Sequence, residues 1–203
     1  MKKITISLLA AVSIIVYACN GGNATHDEHQ AAKTEQPAAD NEPVKQVKVS
    51  FTNVDGGVAA FMKKLTDDYL AVKNALTNGK AGEAADASKN IAETLKGFDK
   101  SLLTAEQKKV YDANEEDLKE HAEHIGKNAG DNEHQRDHFS MMSEDMYALV
   151  KAFGGGKTLY HEHCPMAKDN KGAMWLSESK AIRNPYFGDK MMECGSVEEE
   201  IVN

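Results

Sequence analysis

Between Val58 and Phe153, apolar residues recur at steps of three and four, the period of a helix with one buried face. Four segments carry the pattern. The first runs from about Val58 to Leu76, with Phe61, Leu65, Tyr69, Val72 and Leu76 on one stripe. Asp55 is placed to cap it and Asn78-Gly79 to stop it. The second runs from about Gly82 to Phe98 on Ala84, Ser88, Ile91, Leu95 and Phe98. The third starts after Thr104, which forms a capping-box pattern with Gln107. Its stripe is weaker: Val110, Asn114, Leu118, His121 or Ala122, and Ile125. The fourth starts near Asp131 and ends at Gly154-Gly155-Gly156, with Gln135, Phe139, Met142, Met146, Leu149 and Phe153 inside. Short connections between amphipathic helices predict a mainly α fold, an antiparallel four-helix bundle over residues 55–156. No segment is apolar all round, so none is a central buried helix.

The pattern changes after residue 156. Aromatic, Gly, Pro, Met and Cys residues crowd together without a helical period through residues 157–203. Thr158–His163 and Ala173–Leu176 are strand candidates, enough for one short β-hairpin, and Asn184-Pro185 and Phe187-Gly188 mark turns. This predicts a loop-rich C-terminal tail packed on the bundle.

The N-terminus has a different pattern again. Lys2 and Lys3 precede an uncharged, mostly apolar run from Ile4 to Ala18, and then Cys19 and small polar residues. That is the layout of a signal peptide over residues 1–18, too short for a spanning helix. Cys19 follows the small residues Val16 and Ala18 as the thiol of a lipoprotein does. Tyr17 is bulky for its slot, which keeps plain secretion with a free Cys19 as the alternative. Residues 19–54 read as a lipidated Cys and a tether with almost nothing to bury. The implied location is the periplasm, with the lipid chains holding the protein to a membrane. Loss of Lys2 and Lys3 takes the formal net charge from −8 to −10, a surface that repels nucleic acid.

The tail holds two groups of soft donors. One is His161, His163, Cys164 and Met166 in YHEHCPMA; the other is Met191, Met192 and Cys194 in MMECG. Thiolate and thioether sulfur select Cu(I), and Ag(I) by the same softness. An exported compartment equally permits a Cys164–Cys194 disulfide that pins the tail, and composition leaves metal, disulfide and unpaired thiols all open. A second group lies where the third and fourth segments meet. His121 and His124 are three apart, and His134 and His138 four apart, so each pair shares a helix face. Counted from the turn, His124 and His134 sit at similar heights, and His121 and His138 one level further in. Four imidazoles at one bundle end suit Zn(II), Cu(II) or Ni(II), with Glu120, Glu123 and Glu133 as nearby hard donors. The alternative for the same four is a solvated boundary between core and surface. His26 and His29 in the tether read as polar filler, with weak metal binding as the alternative. Catalysis ranks last. His163 and Cys164 are strand neighbours and point to opposite faces, and no Gly-rich phosphate loop, GxSxG or HExxH is present.

Three strings are familiar together: EHQRDHFSMMSEDMYALVKAF (Glu133–Phe153), YHEHCPMAKDNKGAMWLS (Tyr160–Ser177) and IRNPYFGDKMMECGSV (Ile182–Val197). Over roughly residues 55–203 the chain resembles an uncharacterised envelope lipoprotein domain, a domain of unknown function. That domain also occurs fused to membrane-fusion subunits of copper/silver-type heavy-metal efflux pumps. The resemblance implies a helical bundle with an appended tail and a role in envelope metal handling. It implies a soft copper site at Cys164, Met166, Met191 and Cys194, with His163 as a further member, and structural parts for Arg136 and Phe139. Such a chain would serve as a copper or silver sink, chaperone or efflux accessory beside a membrane-fusion protein. The alternative is a non-catalytic interaction module with a disulfide-pinned tail.

Overall fold

The computed structural model describes residues 43–203. The signal segment, Cys19, His26, His29 and most of the tether lie outside the described residues. Four long helices follow the predicted segments: α1 (Gly56–Thr77), α2 (Ala81–Lys96), α3 (Ala105–Lys127) and α4 (Asn132–Phe153). Their ends are set by the residues that the sequence offers. Asp55 accepts from the Gly57 amide at 2.7 Å. Thr104 and Gln107 close a full capping box, at 3.3 and 3.0 Å. Asp131 accepts from the Glu133 and His134 amides. Gly154 leaves α4 at φ +84°, a conformation that favours glycine.

The helices pack in a ring, α1 on α2 and α4, α3 on α2 and α4, as an antiparallel bundle. Leu65, Tyr69, Val72, Leu76, Ile91, Leu118, Ile125, Phe139, Met142, Met146 and Leu149 are buried in its core. Four stripe positions, Phe61, Phe98, Val110 and Asn114, are only partly buried. Tyr111 is buried in place of Val110, which is partly covered, and Phe61 is partly covered and stacks on Phe98 at 3.9 Å.

The tail is more ordered than its composition suggests. β1 (Lys45–Lys48), β2 (Leu159–Cys164), β3 (Ala173–Ser177) and β4 (Ser196–Val202) form one sheet in the order β1-β4-β2-β3. The expected hairpin is present as antiparallel β2 and β3. β1 corrects the expectation that the tether reaches residue 54. Lys45–Lys48 pair in parallel with β4, and the Ser50 and Phe51 amides donate to Lys151 and Ala152 carbonyls at the end of α4. Val49, Phe51 and Val54 pack on the core, so the chain from residue 45 onward has apolar surface to bury after all.

A buried hydrogen-bond chain locks sheet to bundle. The Leu176 amide donates to Tyr69 Oη, which bonds Ser143 Oγ, which donates to the Phe139 carbonyl. Between β2 and β3 the chain turns back through Lys168, Asp169 and Asn170, all at positive φ. Each such residue costs roughly 1–2 kcal/mol. Lys168 anchors the turn to α4 through Asp137 at 2.7 Å.

Candidate metal centre

The α3–α4 hairpin is held from inside by Gln135, whose amide donates to the carbonyls of Ala81 and Ile125. That clamp fixes the heights of the flanking histidines. His121 and His138 meet with their Nδ1 atoms 3.2 Å apart. His124 and His134 lie with ring centroids 6.1 Å apart. His138 is the hub: its ring is 4.2 Å from that of His124, 4.7 Å from that of His134 and 5.4 Å from that of His121. One ring nitrogen from each of His124, His134 and His138 falls within a 4.8 Å span. Two donors bound to one ion at about 2.0–2.1 Å and the tetrahedral angle sit roughly 3.3 Å apart. The His121–His138 separation already matches that spacing.

Electrostatics favour the ligating form of these rings. Burial, and then the charges of His124, His134 and His121, push the His138 pKa down to about 4. Burial also lowers His121, against the pull of Glu120 and Asp117. Both shifts favour the neutral imidazole, and at the 3.2 Å contact one Nδ1 donates to the other. Among the expected hard donors, Glu120 is 3.8 Å from His124, whereas Glu123 is engaged by Lys127 at 3.0 Å and Glu133 lines a separate groove. Asp145 is a perturbed carboxyl outside the reach of the histidine rings. It lies two turns below His138 on α4, with one buried oxygen unpartnered, and its pKa rises to about 7 through burial and the charges of Asp117 and Glu144.

The donors expected of the soft site divide among three places. Cys164 and Cys194 are joined in a disulfide, Cα atoms 5.7 Å apart, with Cys164 fully buried. Neither sulfur is a thiolate in that form. Exposed Met166 and half-buried Met191 line one groove of about 720 Å³ with Arg136, Asp137, Lys168 and Lys190. His163 lies on the opposite side of β2 from Cys164 and meets Glu198 instead. The two residues expected as structure behave so: Phe139 is in the core, and Arg136 ties α4 to the Pro185 and Leu76 carbonyls.

Residues 65–158 match the model of a family described as a protein of unknown function (DUF3347). The matched stretch spans most of α1 and all of α2 to α4. All four imidazoles fall within the match, and the sheet strands β2 to β4 fall outside it. No curated protein and no solved structure matches the chain.

Proposed function

We propose that this chain is an exported, lipid-anchored metal-binding protein that holds a divalent first-row ion, Cu(II) or Zn(II), between α3 and α4. The convergence of His124 and His134 on His138, with His121 in contact with the same ring, carries the reading. Imidazole suits both ions, and the Irving–Williams order favours Cu(II) at such a site. The resemblance of the tail strings to a domain fused to efflux subunits supports copper as cargo and a part as sink or efflux accessory. The sulfur donors enter as a soft site in the reduced protein, where Cys164 and Cys194 regain their thiols, with Met166 and Met191 as the thioether donors and His163 on the other side of β2. No catalytic step is assigned.

An ion bound to the native state alone stabilises it by about 2.7 kcal/mol at a hundredfold excess over Kd. For a domain of this size that raises the melting temperature by roughly 5–10 °C. Cu(II) or Zn(II) at neutral pH should give that rise, and His138→Ala should remove most of it. The rise should fade in acid, as protons compete for the ring nitrogens. The Cys164–Cys194 bond favours a second reading, a non-catalytic docking module with a pinned tail. Melting curves indifferent to both ions would put that reading first. Location has its own test: Cys19→Ala should move the protein from the membrane to the soluble fraction, and a variant that stays membrane-bound would sink the lipid anchor.

A further inference from the structure

β2 and β4 are out of step by one residue. Leu159, Tyr160 and His161 pair with Ile201, Glu200 and Glu199, but Glu162 and His163 pair with Val197 and Ser196. Glu198 is the extra residue of a β-bulge, a device that re-aims a side chain out of the regular ladder. It is aimed at the two histidines of β2. His161 Nδ1 lies 3.4 Å from one Glu198 oxygen, and His163 Nδ1 lies 3.4 Å from the other.

From this geometry we infer a second metal site, separate from the helical histidines: His161, His163 and Glu198 bind a divalent ion of the Zn(II) class. Two imidazoles and a carboxylate are a borderline N/O donor set, which suits Zn(II) and its neighbours. The two nitrogens face different oxygens of the one carboxylate, so the three donors close on a single ion once His163 and Glu198 turn onto it.

The surroundings are built for it. His161 is held rigid: its ring stacks on Tyr147 at 4.5 Å, and the Tyr147 hydroxyl is itself held by Glu199 at 2.5 Å and Lys151 at 2.9 Å. Its Nδ1 is buried and has no hydrogen-bond partner. His163 and Glu198 are the movable half, with side chains 33% and 46% exposed, so they can turn onto an ion that arrives from solvent. Room for His163 comes from Gly172: at φ +84°, a Cβ there would stand 2.5 Å from His163 Nε2. Three donors leave a fourth position for water or for a donor from another molecule.

The test uses the mature chain with Zn(II) for calorimetry and Co(II) for visible spectra. A His124→Ala/His134→Ala/His138→Ala background silences the helical site. It should still bind one equivalent and show Co(II) bands, and Glu198→Gln added to it should weaken binding at least tenfold. Gly172→Ala should weaken it too, through His163. Should the triple background unfold, Glu198→Gln alone in the wild-type chain should remove one equivalent from the stoichiometry. An unchanged count and affinity in Glu198→Gln would overturn the site, whatever the helical histidines do.

Discussion

Reducing the Cys164–Cys194 bond should lower the stability of the domain by about 3–4 kcal/mol, the loop-entropy cost for a separation of 30 residues. In a domain of this size the melting temperature would fall by roughly 6–16 °C. The bond ties the end of β2 to the loop before β4, across a segment that holds the left-handed turn, β3 and Trp175. Trp175 is fully buried and packs edge-on to Tyr186, so its fluorescence should report loosening there first. Cys194→Ala, at the partly exposed end of the bond, should reproduce the loss without a reductant. The unreduced protein should have no reactive thiol at either position and a mass lower by two hydrogens. A reduced protein as stable as the oxidised one would mean that the tail is held by packing alone. Metal binding by His121, His124, His134 and His138 should survive reduction, since all four lie outside the loop. Under the same reducing conditions Ag(I) should newly protect the two thiols if the soft site is real.

The helices were legible because apolar positions recur at a 3.6-residue period along each, and because Asp55, Thr104, Gln107, Asp131 and Gly154 mark their ends. Most of the sheet was not. β1 is Lys-Gln-Val-Lys, with one apolar residue, and its partner is 154 positions away. β4 contains Glu198-Glu199-Glu200, which reads as a solvated charge run. Buried Glu199 is tolerable because Lys45, Lys151 and the Tyr147 hydroxyl surround it, and together they hold its carboxyl down to about 2. None of those partners is near it in sequence.

The candidate sites divide along the same line. Helical spacing placed His121 opposite His138 and His124 opposite His134. It could not show that the His138 ring crosses levels to stack on His124, because that depends on the rotamers and on the Gln135 clamp. The YHEHC string showed its donors but not their sides: strand alternation sends His161 and His163 one way and Cys164 the other. Glu198 had no signal, since its role comes from a bulge between strands that the sequence did not pair.

Glu162→Gln should stabilise the protein at pH 7 by about 3 kcal/mol while leaving it nearly unchanged at pH 4.5. Glu162 is fully buried, and neither of its oxygens has a hydrogen-bond partner. Burial pushes its pKa up to about 8, against the charge of Lys73 and the nearby Trp175 and Ser177 donors. The acid is therefore neutral in the folded protein at pH 7 and ionised in the unfolded chain, whose glutamate titrates near 4.5. Below pH 4.5 both states hold the proton and the residue costs nothing. From there to pH 8 the unfolded chain gains by ionising and the folded protein does not, so stability is lost as pH rises through that window. Each pH unit is worth about 1.4 kcal/mol, which gives the figure at pH 7. Glutamine has the same shape and no proton to lose, and at pH 7 it replaces one neutral group by another. Lys73, buried and lowered by its own desolvation, then keeps the same neutral neighbour. Denaturant melts of both proteins at half-unit steps from pH 4.5 to 8 should diverge steadily. If Glu162→Gln is instead destabilising at every pH, Glu162 is ionised and paired with Lys73 inside the fold.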